Sequence, residues 1–135
     1  MGTWGPGVFE NDHARDLGSI EVARLVDMIE AVLALEPVAF DDLEGPLLYV
    51  HMLSLLAQEW ELESRIVRGD VERWKERYLH IFRSTSGPGY EDYVARRSEV
   101  IAREFDSLAA RLPEARAVPK PRRAHRKKAM KTSPK

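Results

Sequence analysis

Apolar residues recur along this chain at the spacing of one helix face. Val22, Leu25, Val26, Ile29, Val32 and Leu33 fall on one side of a 3.6-residue helix, and Glu21, Arg24, Asp27 and Glu30 on the other. Ser19 has the chemistry of an N-cap for this segment, and Gly18 before it reads as the stop of a shorter helix that begins at Asn11 or Asp12 and runs to about Leu17. Pro37 ends the pattern, because its ring and missing N–H cannot continue the ladder.

Asp41, Asp42 and Glu44 then place negative charge at the start of a third helix, with Pro46 in its first turn. From Leu47 to Leu56 that helix is apolar nearly all round, which predicts a central helix covered by its neighbours. Residues 58–69 read equally well as an edge strand carrying Trp60, Leu62 and Ile66, a frayed helix end, or a loop. Asp70 caps a fourth helix with Val71, Trp74, Tyr78 and Ile81 or Phe82 on one face, and Ser84 to Gly89 is a loop by composition. A fifth helix, Tyr90 to Leu112, carries Val94, Ile101, Phe105, Leu108 and Leu112 in register, with Ser98 as a gap. Asp92–Arg96 and Glu99–Arg103 have the spacing of favourable i,i+4 pairs, and Pro113 stops the helix.

The expectation is an all-α fold, a compact bundle of about five helices over residues 1–113. Residues 1–10 are too rich in turn formers for a regular element, and Trp4 and Phe9 are expected to tuck inward. Residues 114–135 offer almost nothing large and apolar to bury and are expected to form a disordered tail.

Composition narrows the chemistry. A chain of 135 residues with 44% hydrophobic content suits one domain with one core. The absence of cysteine excludes a disulfide framework, thiolate nucleophiles and thiolate zinc sites, and makes a reducing cytoplasm the expected location. The opening string has no basic n-region or apolar h-region, so it is not expected to act as a secretory leader. The apolar stretch from Pro46 to Ala57 falls short of the ~20 residues of a membrane span. Myristoylation at Gly2 is not expected either, because Pro6 stands where that motif wants Ser or Thr.

The net charge of −1 conceals a segregation: residues 1–115 hold 12 Lys and Arg against all 22 Asp and Glu, while residues 116–135 hold nine basic residues and no acid. An acidic domain is therefore joined to a basic tail. Arg122, Arg123, Arg126, Lys127, Lys128 and Lys131 are enough to neutralise several phosphates of a nucleic acid or other polyanion. No aromatic is interleaved for base stacking, so such binding would be weak and indifferent to sequence. The same tail could instead fold back on its own acidic domain or serve only as a solvated extension.

The most distinctive string is Met1-Gly2, Trp4-Gly5-Pro6-Gly7, Phe9-Glu10-Asn11-Asp12 and Ala14. One reading makes Trp4, Glu10, Asn11, Asp12 and Asp16 a surface that grips a partner or cation. The other is architectural: glycines for backbone turns, aromatics plugging the end of the bundle, and Asn11 or Asp12 capping a helix. This string resembles the opening signature of a bacterial family known as domain of unknown function 4259. The stretch from Trp74 through Tyr78, the Gly87-Pro88-Gly89 loop and the helix to Phe105 resemble the rest of that family more loosely, so that the likeness covers residues 1–112. His13, Gly18 and the basic tail depart from the pattern. The resemblance implies a single cytoplasmic bacterial domain and partner binding, including guarding or immunity roles; it supplies no catalytic residue and no cofactor.

Candidate chemistry elsewhere is thin. Asp12, His13 and Asp16, or Glu76 with His80, offer ligand types but no third ligand at a recognisable spacing, so no metal and no cofactor is expected. His51 on the apolar helix is either a general base or, more simply, a hydrogen-bonded or partly exposed histidine. Ser84, Ser86 and Ser98 have no triad partner at the level of sequence, and the glycine loop lacks the Lys that makes a phosphate cradle specific. The leading expectation is a non-enzymatic interaction module, immunity or regulatory in kind, that uses its acidic surface. The alternatives are a polyanion-associated accessory protein acting through its tail and a metal-dependent hydrolase using Asp12, Asp16 or His51.

Overall fold

The computed structural model describes residues 5–59, 61–62 and 66–114. These form four helices: α1 over Asp12–Leu33, α2 over Glu44–Glu59, α3 over Arg68–Thr85 and α4 over Glu91–Ala109, with a 3₁₀ turn over Phe40–Leu43 leading into α2. No strand occurs among the described residues. The all-helical expectation holds, with four helices in place of about five.

The lost boundary lies at Gly18. A glycine stops a helix by adopting a positive φ just past its end. Gly89 has such an angle, at φ 92°, whereas Gly18 lies buried inside one continuous helix. A helix of little more than one turn ending at Leu17 would have had almost no face to bury. Running through Gly18 costs about 1 kcal/mol in propensity but extends the stripe that continues into Val22, Leu25 and Ile29.

The other boundaries follow from local hydrogen bonding. Asn11 caps α1, its Oδ1 accepting from Ala14 N–H at 2.7 Å. Helix α3 begins two residues before the expected cap: Val67 is the capping residue, and Asp70 sits in the first turn, where its buried carboxylate accepts from Val67 N–H at 2.9 Å. Asp42 serves the turn before α2 in the same way, accepting from Ala39 N–H at 3.2 Å. Helix α4 gives way after Ala109 to turns in which Arg111 and Leu112 donate to Leu108 and Ala109, so its regular part stops before Leu112. The stretch after α2 is irregular where it is described, with Leu62, Ile66 and Val67 buried, and Trp60 lies outside the described residues.

Helix α4 packs against α2 and α3, and α1 packs against α2 and touches α3. Ile29, Val50, Leu53, Val71, Ile101, Phe105 and Leu108 have essentially no exposed surface. Each such side chain removed from water stabilises the fold by about 1.5–3 kcal/mol. Tyr78 stands in the centre of α3, its ring 5.5 Å from that of Phe105 and its hydroxyl donating to Leu43 C=O at 2.8 Å.

Helix α3 also supplies the cations that close two other helices. Arg77 donates to the carbonyls of Leu33 and Leu35 at 3.0 and 3.3 Å, at the end of α1. Arg68 donates to those of Ala109 and Leu112 at 3.2 and 3.1 Å, at the end of α4. Both satisfy orphan C-terminal acceptors and complement the negative end of the helix dipole. The ion pairs that shape the bundle are not the i,i+4 pairs expected along α4 but links between helices: Lys75–Asp106 at 2.8 Å, His51–Glu104 at 2.8 Å and Arg97–Glu44 at 3.7 Å.

Burial, reinforced by the Glu44 charge, pushes the Tyr78 phenol well above its ordinary pKa of 10.0. The unfolded chain releases this proton near pH 10 while the folded chain retains it, so the stability it confers is complete below pH 10 and declines as the pH rises further. Tyr78→Phe is expected to cost about 1–2 kcal/mol at neutral pH by orphaning the Leu43 carbonyl. It should also make the loss of stability above pH 10 shallower. Urea melts at pH 7 and pH 11 check both, and parallel declines for the two proteins would contradict the assignment.

Candidate functional site

The end of the bundle where α1 starts shows what the distinctive N-terminal string does locally. Glu10 folds back so that its carboxylate accepts from Gly7 N–H at 2.7 Å. A Cβ on Gly7 would stand 2.5 Å from that carboxylate and one on Gly5 2.8 Å, so both glycines leave room for the bend. Phe9 packs half-buried on the core, and its carbonyl accepts from Arg15 Nε at 3.1 Å. Glu10 and Asn11 are thus engaged within the chain. Asp12 and Asp16 lie exposed one turn apart on α1, while Trp4 lies outside the described residues.

Among the described residues no group of three or more His, Cys, Asp or Glu side chains converges as a metal site requires. His51 is half exposed and bonded through Nδ1 to Glu104, which ties α2 to α4. His80 lies exposed on α3, one turn beyond Glu76. The Ser98 hydroxyl is buried with no hydrogen-bond partner among the described residues, so no base stands ready to activate it. At the first residue of α4, the Glu91 carboxylate accepts from its own N–H and from Gly89 N–H, which holds the carboxyl below its ordinary range. That carboxylate occupies the start of α4, where an anion would otherwise dock. The basic tail residues Arg122, Arg123, Arg126, Lys127, Lys128 and Lys131 lie outside the described residues.

Helix α2 departs most from its sequence reading. Leu47, Val50, Leu53 and Ser54 face inward, but the opposite side of the helix is not covered by the described residues. Leu48, Met52 and Leu55 are 54%, 37% and 48% exposed. At i, i+4 and i+7 they line one stripe. A helix in a bundle of four has neighbours for its inner face and flanks only, so an all-round apolar helix leaves one stripe in water. Toward α4 the stripe is bordered by polar links, His51–Glu104 and the Ser54–Ser107 hydroxyl pair at 3.4 Å. The all-round apolar character of residues 47–56 was the available signal, and it is equally the mark of a core helix.

Concavities are shallow and dispersed. A groove of about 690 Å³ runs between the end of α3 and the first half of α4. An aromatic corner of about 370 Å³ is formed by Phe40, Tyr90 and Tyr93 with the loop at Ser86. The first is lined by Ser86, Ser98, Glu91 and Glu99 but by no histidine, and the Glu91 carboxylate is turned onto the Gly89 N–H; the second is lined by no carboxylate and no histidine. No helix among the described residues is long and apolar enough to cross a membrane. Comparison with protein families, with curated proteins and with solved structures found no match.

Asn11→Ala should lower stability by about 1 kcal/mol through loss of the α1 cap. Leu48→Lys should leave it within about 0.5 kcal/mol, whereas Leu53→Ala, on the inner face, should cost about 2–5 kcal/mol. Denaturant melts of the three variants check the assignment of faces, and a Leu48→Lys loss as large as that of Leu53→Ala would reverse it.

Proposed function

We propose that this chain is a non-enzymatic interaction module that recognises another protein through the outer face of α2, within an otherwise acidic domain surface. The observation that carries this reading is the exposure of Leu48, Met52 and Leu55 in one stripe. Exposed apolar stripes with polar borders are the usual form of a protein-binding face, and evenly scattered apolar residues are not. The excess of acid over base in residues 1–115 favours a partner with a basic rim around an apolar centre. A cytoplasmic bacterial setting, a guarding or regulatory role and kinship with domain of unknown function 4259 belong to the same proposal, on the strength of the N-terminal string. Catalysis has no such support, since Asp12, Asp16 and His51 do not converge with other ligand-type residues in a metal-binding group among the described residues.

Paired affinity capture from native lysate tests the proposal. The wild-type chain should retain a stoichiometric partner, and Leu48→Lys/Met52→Lys/Leu55→Lys should lose at least about tenfold of it while keeping its helicity. Equal retention by the variant, or turnover in a broad substrate screen with no partner retained, would contradict the reading.

A second role rests on the nine basic residues of 116–135, which suit weak, salt-dependent association with nucleic acid or another polyanion. Truncation after Glu114 keeps the Arg68 N–H to Pro113 bond at 2.9 Å and should leave helicity intact. It should abolish retention of duplex DNA or RNA at low salt in a gel shift. Retention by the truncated chain would assign binding to the domain instead.

A further inference from the structure

The aromatic corner at the turn between α3 and α4 presents three rings to water: Phe40, Tyr90 and Tyr93 are 41%, 62% and 48% exposed. Phe40 and Tyr93 both pack on the buried ring of Phe82, with centroids 6.0 and 6.5 Å from it, so they belong to one aromatic surface. Thr85, Ser86 and Gly87 complete the lining, and among the described residues none of the lining side chains is charged. The Thr85 and Ser86 hydroxyls donate to Ile81 and Phe82 C=O at 2.7 Å each, so their oxygens meet a ligand as acceptors. Ring faces and oxygen acceptors together favour a cation. Around the corner, Asp41 and Asp42 follow Phe40 in the chain, and Glu91 and Asp92 separate Tyr90 from Tyr93. Against these carboxylates stand Arg96 and Arg97, one turn beyond Tyr93, of which Arg97 is paired with Glu44 at 3.7 Å. Arg83 lines the neighbouring groove instead.

We propose that this corner holds a cationic side chain from residues 126–131 of the same chain, where Arg126, Lys127, Lys128 and Lys131 lie. Two observations select this occupant, reach and charge. Glu114, 3.6 Å from Arg68, marks the end of the bundle opposite the corner. From Tyr93 to Ala109 helix α4 covers about 24 Å, at about 1.5 Å per residue. Extended chain spans at most about 3.3–3.6 Å per residue, so Pro119 stays within about 18 Å of Glu114 and falls short, whereas Arg126 has a reach of about 40 Å. Residues 116–135 bring nine basic residues and no acid to a lining without a cation of its own. Tethering holds them at a local concentration of about 1 mM, which a free basic partner of equal affinity would have to exceed.

The contact involves none of Leu48, Met52 and Leu55, so the proposal does not depend on the function argued above. The chain has no cysteine, and Ala129→Cys therefore carries a single nitroxide label in the otherwise complete protein. Amide NMR spectra are compared with the nitroxide oxidised and reduced. The Phe40, Gly87, Tyr90 and Tyr93 signals should lose at least about half of their intensity to the oxidised label, as a contact matched to its tethered concentration implies. Phe40→Leu/Tyr90→Leu/Tyr93→Leu keeps apolar bulk but removes the ring faces, and should cut the loss at Gly87 at least about threefold. Tyr90→Phe/Tyr93→Phe keeps the faces and should preserve it. Arg126→Gln/Lys127→Gln/Lys128→Gln/Lys131→Gln should abolish it, and circular dichroism verifies that all variants keep their helices. In a mixture of nitroxide-labelled chain with isotope-enriched chain lacking the nitroxide, the enriched corner signals should stay sharp, because the contact forms within one molecule. An intensity loss spread evenly over the bundle, or one that the leucine variant leaves unchanged, would overturn the proposal. So would broadening in the mixture, which would assign the corner to residues of a second copy.

Discussion

A helix packed into a bundle of four has one face to hide, and α2 carries apolar residues on two. The inner face, with Val50 and Leu53 fully buried, meets α1 and α4 and forms part of the core. Leu48, Met52 and Leu55 remain in water because the chain has no fifth helix among its described residues to cover them. On the proposed function, association with a partner buries that stripe. The amphipathic helices α3 and α4 show the contrast, since their outward positions are largely charged.

What holds the frame is equally specific. Tyr78 joins the core to the turn before α2, packing on Phe105 while donating to Leu43. Arg68 and Arg77, both on α3, reach the last carbonyls of α4 and α1. A single helix thus serves as core wall and as cap for two others, so α3 is where perturbations should spread furthest. At the opposite end of α1, Glu10 accepts from Gly7 N–H and Asn11 from Ala14 N–H, so the described part of the N-terminal string starts a helix. Asp12 and Asp16 follow it on the exposed side of the first turns.

Much of the fold was legible from periodicity. The stripes from Val22 to Leu33, from Val71 to Phe82 and from Ile101 to Leu108 all face the core as their spacing requires. The break assigned to Gly18 was not, because glycine signals a helix end only when its backbone turns left-handed, and sequence does not carry that angle. The cap of α3 was displaced for a related reason. Asp can serve from the capping position itself or from the third helical residue, and Asp70 takes the latter. Helix α2 misled differently: an apolar surface can meet core or partner, and only the number of neighbouring helices distinguishes the two. Ser98 stood out as a gap in the α4 stripe, yet its buried hydroxyl in a groove walled by Arg83 and Glu99 became visible only once α3 and α4 were set side by side. Those three residues come from two helices whose pairing no local pattern specifies.

On the proposed function, the outer face of α2 is open in the isolated protein and covered by a partner in its working state. Hydroxyl-radical footprinting read by mass spectrometry, performed on the purified chain and inside cells expressing it, compares the two directly. The account predicts strong labelling of Leu48, Met52 and Leu55 in the purified protein, clear protection of all three in cells, and an inert Leu53 in both. Weak labelling of the three in the purified chain, or equal labelling in both settings, would contradict it.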